Sequence, residues 1–345
     1  MEKKYERNTG LDVLRVIACF MVVFLHVSSR FFSAVPIDTF NWKVYTFYDA
    51  CVRSAVPLFV MLSGVFFLAP REMTLKKLYG KYIIRLAAAY VIWSALYTIY
   101  DVLAGEVPFK LRSILHAWIE GPAHLWYIPM LIGLYVISPF LKKITQLSSK
   151  KLVEYGLILF AGASLIRTIT YIPIFPGHTT FVLLSEQLPL SYILRYYSYF
   201  LLGWFLVNFP VRSNWRKWIY AGGLVSPFLC AVTTVLVSMK KGVAAEDLFS
   251  NFTLFTLLEA MAIFMISSRY SSFRKKWKPA LEFLSSCTLG IYLSHILVLR
   301  LLASWIDLAS LNALWMVPLV SLVVFFVSLL LTMALRSVKG VHKLV

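Results

Sequence analysis

An arginine and a histidine stand eleven positions apart inside the first apolar stretch of the chain, Leu11 to Ser29, LDVLRVIACFMVVFLHVSS. On an α-helix that spacing returns Arg15 and His26 to nearly one azimuth, about 16 Å apart along the axis. Asp12, Cys19 and Val22 fall on the same stripe. An imidazole titrates near neutrality, so it can take a proton from a hydroxyl and pass it on. Ionisable groups at membrane depth are costly and face a protein interior or a water-filled cavity. The stripe therefore reads as a base and a cation offered to one hydrated interior. For Arg15 the competing reading is a side chain that snorkels to the interface or pairs with Asp12 three positions earlier.

Further polar groups fall at membrane depth. His295 stands beside Ser294 and three positions from Tyr292; it reads either as a hydrogen bond between helices or as a contact to substrate. Glu259 sits mid-span, where a carboxylate must carry a proton or pair with an arginine such as Arg167 or Arg195. His124 and Trp126 open a span at its outer end, where an indole anchors to the interface or offers a platform to a sugar. In PREMTLKKLYGKYIIRL the cations Arg71, Lys76, Lys77, Lys81 and Arg85 crowd one interface. Lys81 and Arg85, four apart, suit the phosphates of an anionic donor. Ser63-Gly64, in an apolar run, lets another backbone or a ligand come close. His116, His178 and His342 carry no assigned role, and Cys19, Cys51, Cys230 and Cys287 show neither metal nor disulfide spacing, so no metal is expected.

The elements that hold these groups are set by composition. The chain has 345 residues, 60% of them hydrophobic and 14% charged, more apolar surface than a soluble domain could bury. The expected fold is all-α: a polytopic helical membrane bundle forming one membrane-embedded domain over residues 1–345. Ten spans can be drawn: Leu11–Ser29, Val52–Ala69, Ile83–Leu103, Leu125–Leu141, Leu152–Ile172, Ser191–Phe209, Trp218–Val237, Phe252–Ser268, Leu284–Ile306 and Ala313–Leu335. The basic start MEKKYERNTG lacks a small-residue cleavage site, so the first span is read as retained. The net charge of +18 invites a nucleic-acid partner, but the cations cluster in alternate loops between apolar spans. That is positive-inside anchoring, with both termini cytoplasmic and no nucleic acid as partner.

Six stretches, in order, resemble a known family. Arg15, ten intervening residues and His26 match the R-X10-H motif of the membrane acyltransferase-3 family. VPLFVMLSG, KYIIRLAAAYVIWS, HLWYIPMLIGLYVISPFL, YFLLGWFL and LGIYLSHILVL are similar to its later stretches, over residues 10 to 300. The closest likeness is to the compact O-acetyltransferase branch without an extracellular domain. Two positions depart from the pattern. Ala87, Ala88 and Ala89 stand where a proline often follows the basic entry to the third helix, and Lys81 with Arg85 stands for the usual arginine pair.

The resemblance implies transfer of an acyl group, commonly acetyl from cytosolic acetyl-CoA, onto a hydroxyl of an extracytoplasmic or lipid-linked glycan at a bacterial inner membrane. His26 and Arg15 would then be catalytic, and Arg71, Lys81 and Arg85 would bind the donor. His124, Trp126, Glu259 and His295 would meet the acceptor. His26 would act as general base or carry the acyl group itself. Lipids are the surrounding partners, and a homo-oligomer is left open. A permease or flippase for a polysaccharide precursor is the alternative from another class; the lack of a recognisable inverted repeat counts against it.

Overall fold

A computed structural model describes residues 8–70, 72–173, 176–270, 277–338 and 340 of the chain. Every regular element among them is helical. Nine helices among the described residues are long and apolar enough to cross a membrane, and the chain is a multi-pass membrane protein.

The first, α1 (Thr9–Ser29), starts at Asn8, whose side chain accepts from the Gly10 amide and so meets one orphan donor of the first turn. The second span, Phe40–Phe67, is a broken rod. It comprises α2 (Phe40–Ala50), a turn at residues 51–54, and α3 (Ala55–Phe67). The sequence places residues 30–51 in an outer loop, yet α2 is helical. Its polar residues dilute the hydropathy signal while Trp42, Val44 and Tyr45 are buried, against neighbours that include α1.

The third span, Leu75–Leu103, consists of α4 (Leu75–Lys77), a π-helical stretch over Leu78–Ile83, and α5 (Ile84–Leu103). An outer amphipathic helix, α6 (Leu111–Glu120), is tied to α5 where Ser94 Oγ donates to the Trp118 carbonyl at 2.5 Å. A 3-10 turn, Ala123–Trp126, leads into α7 (Tyr127–Leu147), and α8 (Lys150–Thr170) follows.

The expected span Ser191–Phe209 is not one continuous rod. After α9 (His178–Glu186) come α10 (Leu190–Ile193), an extended Arg195, and α11 (Tyr196–Asn208). At 13 residues α11 is about 20 Å long, short of a hydrocarbon core of about 30 Å. It is apolar on all sides and buried accordingly. Its partner is α3, packed at close range through two glycines. A Cβ on Gly64 would lie 1.9 Å from the Phe200 carbonyl oxygen, and one on Gly203 would lie 2.2 Å from that of Met61. Ser63-Gly64 thus serves a backbone approach, as its residue types suggest.

The chain ends with α12 (Ser213–Lys241), α13 (Leu254–Arg269), α14 (Lys278–Trp305) and α15 (Ala313–Ser337). The stripe of α1 lies against α14. Ser285 Oγ donates to Asp12 Oδ1 at 2.8 Å, and Cys19 Sγ reaches the Thr288 carbonyl at 3.6 Å. About two turns farther on, the rings of His26 and His295 meet. This seam fixes where the first histidine points.

Candidate active site

A cavity of about 410 Å³ opens between α1, α3, α5, α7, α14 and α15. Arg15, Val22 and His26 line it from α1, so three of the five stripe positions face the interior that their azimuth requires. Arg85 joins them from α5, and His124 and Trp126 from the 3-10 turn. Arg336, from the last turn of α15, completes the basic part of the wall and donates to Ser286 Oγ at 2.7 Å. Among the described residues, no carboxylate lines it.

Tyrosines and hydroxyls supply the neutral polar groups. Tyr82, Tyr127, Tyr135 and Tyr292 line the cavity together with Ser63 and Ser285. Phe59, Phe66 and Leu131 provide apolar wall. A pocket of mostly apolar lining with a few convergent polar groups is the form that small-molecule sites take.

Only one of the two paired cations reaches the cavity. Lys81 and Arg85 would share a face on a regular helix, being four apart. Both are exposed, but Arg85 lines the cavity while Lys81 sits 5.8 Å over the Tyr82 ring. Arg71 lies outside the described residues.

Three imidazoles meet at the other end of the cavity. Ring centroids are 5.1 Å apart for His26 and His295, 5.4 Å for His124 and His295, and 6.2 Å for His26 and His124. His26 is half-buried, while His124 and His295 are buried. His295 does not line the cavity; it stands behind His26.

Two tyrosines hold this cluster. Tyr292 Oη donates to the His124 carbonyl at 2.5 Å, tying the 3-10 turn to α14. Tyr97 Oη donates to the Leu293 carbonyl at 2.9 Å and accepts from the Leu297 amide at 3.0 Å. It thus bridges the two ends of a backbone bond one helical turn long, beside His295. A side chain inserted into the i to i−4 ladder is a recognised cause of local helix distortion. Among the described residues no group of three or more His, Cys, Asp or Glu side chains is arranged to hold a metal ion.

Glu259 is elsewhere. It is buried with Asp49 and Ser54, beside the half-buried Arg53, around the turn between α2 and α3. The arginine near it is Arg53, and no ion pair joins it to Arg167 or Arg195 among the described residues. The cavity thus gathers Arg15, His26, Arg85, His124 and Trp126 from the nine expected site residues, and it adds Arg336 and the tyrosines. Arg336 is not among the residues that the sequence singles out. Its role in the wall depends on α15 packing against α14, which no local pattern announces.

Residues 8–336 match the acyltransferase domain of the acyltransferase-3 family. The chain belongs to that family. Two proteins of Enterococcus faecalis, each described as an amino-acid racemase, are similar to part of it. One is 30% identical over 149 residues, which is 40% of this chain and 20% of the relative. The other is 31% identical over 148 residues, 41% of this chain and again 20% of the relative. The chain therefore spans about a fifth of the length of these relatives. No solved structure matches.

Proposed function

We propose that the chain transfers an acyl group, acetyl in the first instance, from cytosolic acyl-CoA to a hydroxyl of an extracytoplasmic or lipid-linked glycan at a bacterial inner membrane. The observation that carries this reading is the composition of one wall: Arg15, Arg85 and Arg336 border the same cavity as His26, with no carboxylate of the described residues in the lining. A cation-rich, partly apolar cavity suits a ligand with phosphates at one end and an uncharged arm at the other.

In this reading the guanidiniums hold the phosphates of the donor at the end where α1 begins. The uncharged arm runs about 16 Å along α1 to the imidazole end. His26 takes the proton of the acceptor hydroxyl as its oxygen attacks the thioester carbonyl carbon. The C–O bond forms, the C–S bond breaks, and the leaving thiolate takes the proton from the His26 imidazolium. One alcohol and one thioester give one ester and one thiol. Trp126, 44% exposed at the edge of the cavity, offers a flat face to a sugar. The whole of residues 1–345 is read as one domain, with Lys81 as a peripheral anchor for the donor.

The test uses sealed inside-out membrane vesicles from cells expressing the chain, supplied with [14C]acetyl-CoA. Label should enter the glycan fraction with the wild type and stay at background with His26→Ala at equal inserted amounts. Equal incorporation by the two proteins contradicts the reading.

A further inference from the structure

His295 stands behind the residue assigned the proton transfer, and its two ring nitrogens are not equivalent. Nδ1 lies 2.6 Å from the carbonyl oxygen of Tyr292, one turn back in α14. A carbonyl only accepts, so Nδ1 carries the ring proton and Nε2 of the neutral imidazole is a bare lone pair. The side chain is 0% exposed, and Nε2 is buried without a hydrogen-bond partner. Buried polar atoms are rarely left this way, and an exception asks for an explanation.

The neighbouring rings supply one. His26 is the closest of those around His295, at 5.1 Å, against 5.4 Å for His124 and 5.9 Å for Tyr292. With each nitrogen about 1.1 Å from its ring centre, an edge-on approach at that distance leaves roughly 2.9 Å between nitrogens, a hydrogen-bond separation. The two ring planes are tilted by 43°. A turn of the half-buried His26 ring about its Cβ–Cγ bond would carry an N–H toward that lone pair; Nε2 of His124, 5.4 Å away between ring centres, is likewise unpartnered.

We propose that His295 is the positioning residue of His26. Its Nε2 accepts the N–H of His26, which fixes the tautomer whose other nitrogen faces the cavity as a base. The proposal rests on the acyl-transfer reading and deepens it. A polar chain then runs from the Tyr292 carbonyl through His295 and His26 to the acceptor hydroxyl. When His26 takes the hydroxyl proton, the imidazolium keeps its bond to His295, and the proton leaves to the thiolate from the nitrogen that received it. His295 ends each cycle with the proton it began with. An imidazole held by a second group so that its tautomer is fixed is a recurring arrangement in acid–base sites.

Two substitutions separate this role from a merely structural one. Asparagine at 295 keeps an N–H within reach of the Tyr292 carbonyl and deletes the distal acceptor. Glutamine, one bond longer, returns an acceptor oxygen to about the place of Nε2. In the vesicle assay with [14C]acetyl-CoA, His295→Asn should lower kcat about 100-fold with KM for acetyl-CoA within about threefold of wild type. His295→Gln should exceed the Asn variant in kcat by at least tenfold. A smaller margin between the two, or a loss carried by KM, overturns the proposal. Should the Asn variant fail to insert, the Gln variant alone decides, and a loss of more than tenfold contradicts the proposal. Absence of transfer by the wild type is a distinct outcome: it removes the acyl-transfer reading, and the positioning role with it.

Discussion

Two polar clusters lie inside this bundle, and they are built on opposite plans. Around the turn between α2 and α3, Arg53 is ion-paired with Asp49, lies 4.3 Å over the Phe249 ring, and has Glu259 nearby. None of Asp49, Arg53, Ser54 or Glu259 lines the large cavity. In that cavity the wall brings together Arg15, Arg85 and Arg336, and among the described residues carboxylates are absent from it. Removing a charge from water is costly, and a cluster repays the cost through a partner of opposite sign. The first cluster carries its counter-charges within the chain, so it joins helices. The second lines an open space with cations, where an anionic ligand can bind. Burial of charge alone therefore does not mark a site; charge balance together with access does.

Substitutions can break this comparison, and the largest effect should come from the open cluster. His26→Ala should lower the rate of transfer by about 10²–10⁴-fold, the usual contribution of a positioned acid–base group, while the unfolding midpoint in detergent changes little. The closed cluster should show the reverse. Asp49→Ala leaves the guanidinium of Arg53 without its ion-pair partner, and breaking a buried pair this way costs about 3–5 kcal/mol. Thermal unfolding should register that loss, with KM for acetyl-CoA unchanged in whatever protein still inserts. Arg336→Ala and Arg85→Ala should each raise KM for acetyl-CoA by about 10- to 150-fold, the equivalent of a charge-assisted hydrogen bond of about 1.5–3 kcal/mol, with less effect on kcat. A destabilised protein with unchanged KM would place these arginines with the closed cluster instead. Gly64→Ala should destabilise by about 1–3 kcal/mol through overpacking against Phe200. A stability change within a few tenths of a kcal/mol would show that α3 and α11 separate easily.

Helical periodicity made the α1 stripe legible in the sequence, and the stripe lies where its azimuth requires, against α14 and the cavity. Most long apolar helices were equally legible, since length and hydropathy are local properties. Three features were not. The helix α2 hides because Asn41, Lys43, Thr46 and Asp49 dilute its apolar signal, although Thr46 and Asp49 are buried in contact with the rest of the fold. The break between α10 and α11 is silent in a hydropathy reading that sees one continuous span. That Arg85 lines the cavity and Lys81 does not is set by packing, which a spacing of four residues does not report. Glu259 showed only that a partner was needed; the choice of Arg53 over Arg167 or Arg195 belongs to packing. His295 was legible as a polar group at depth, whereas its place behind His26 required both helices in position.

The central claim is that one cation-lined cavity holds a thioester with its reactive carbon at His26. An electron-microscopy structure of the protein with a non-hydrolysable acetyl-CoA analogue tests it most directly. The account predicts phosphate density against Arg15, Arg85 and Arg336, and the carbonyl position within hydrogen-bond reach of the His26 ring. Analogue bound outside this cavity, or seated in it with the carbonyl remote from His26, would contradict it.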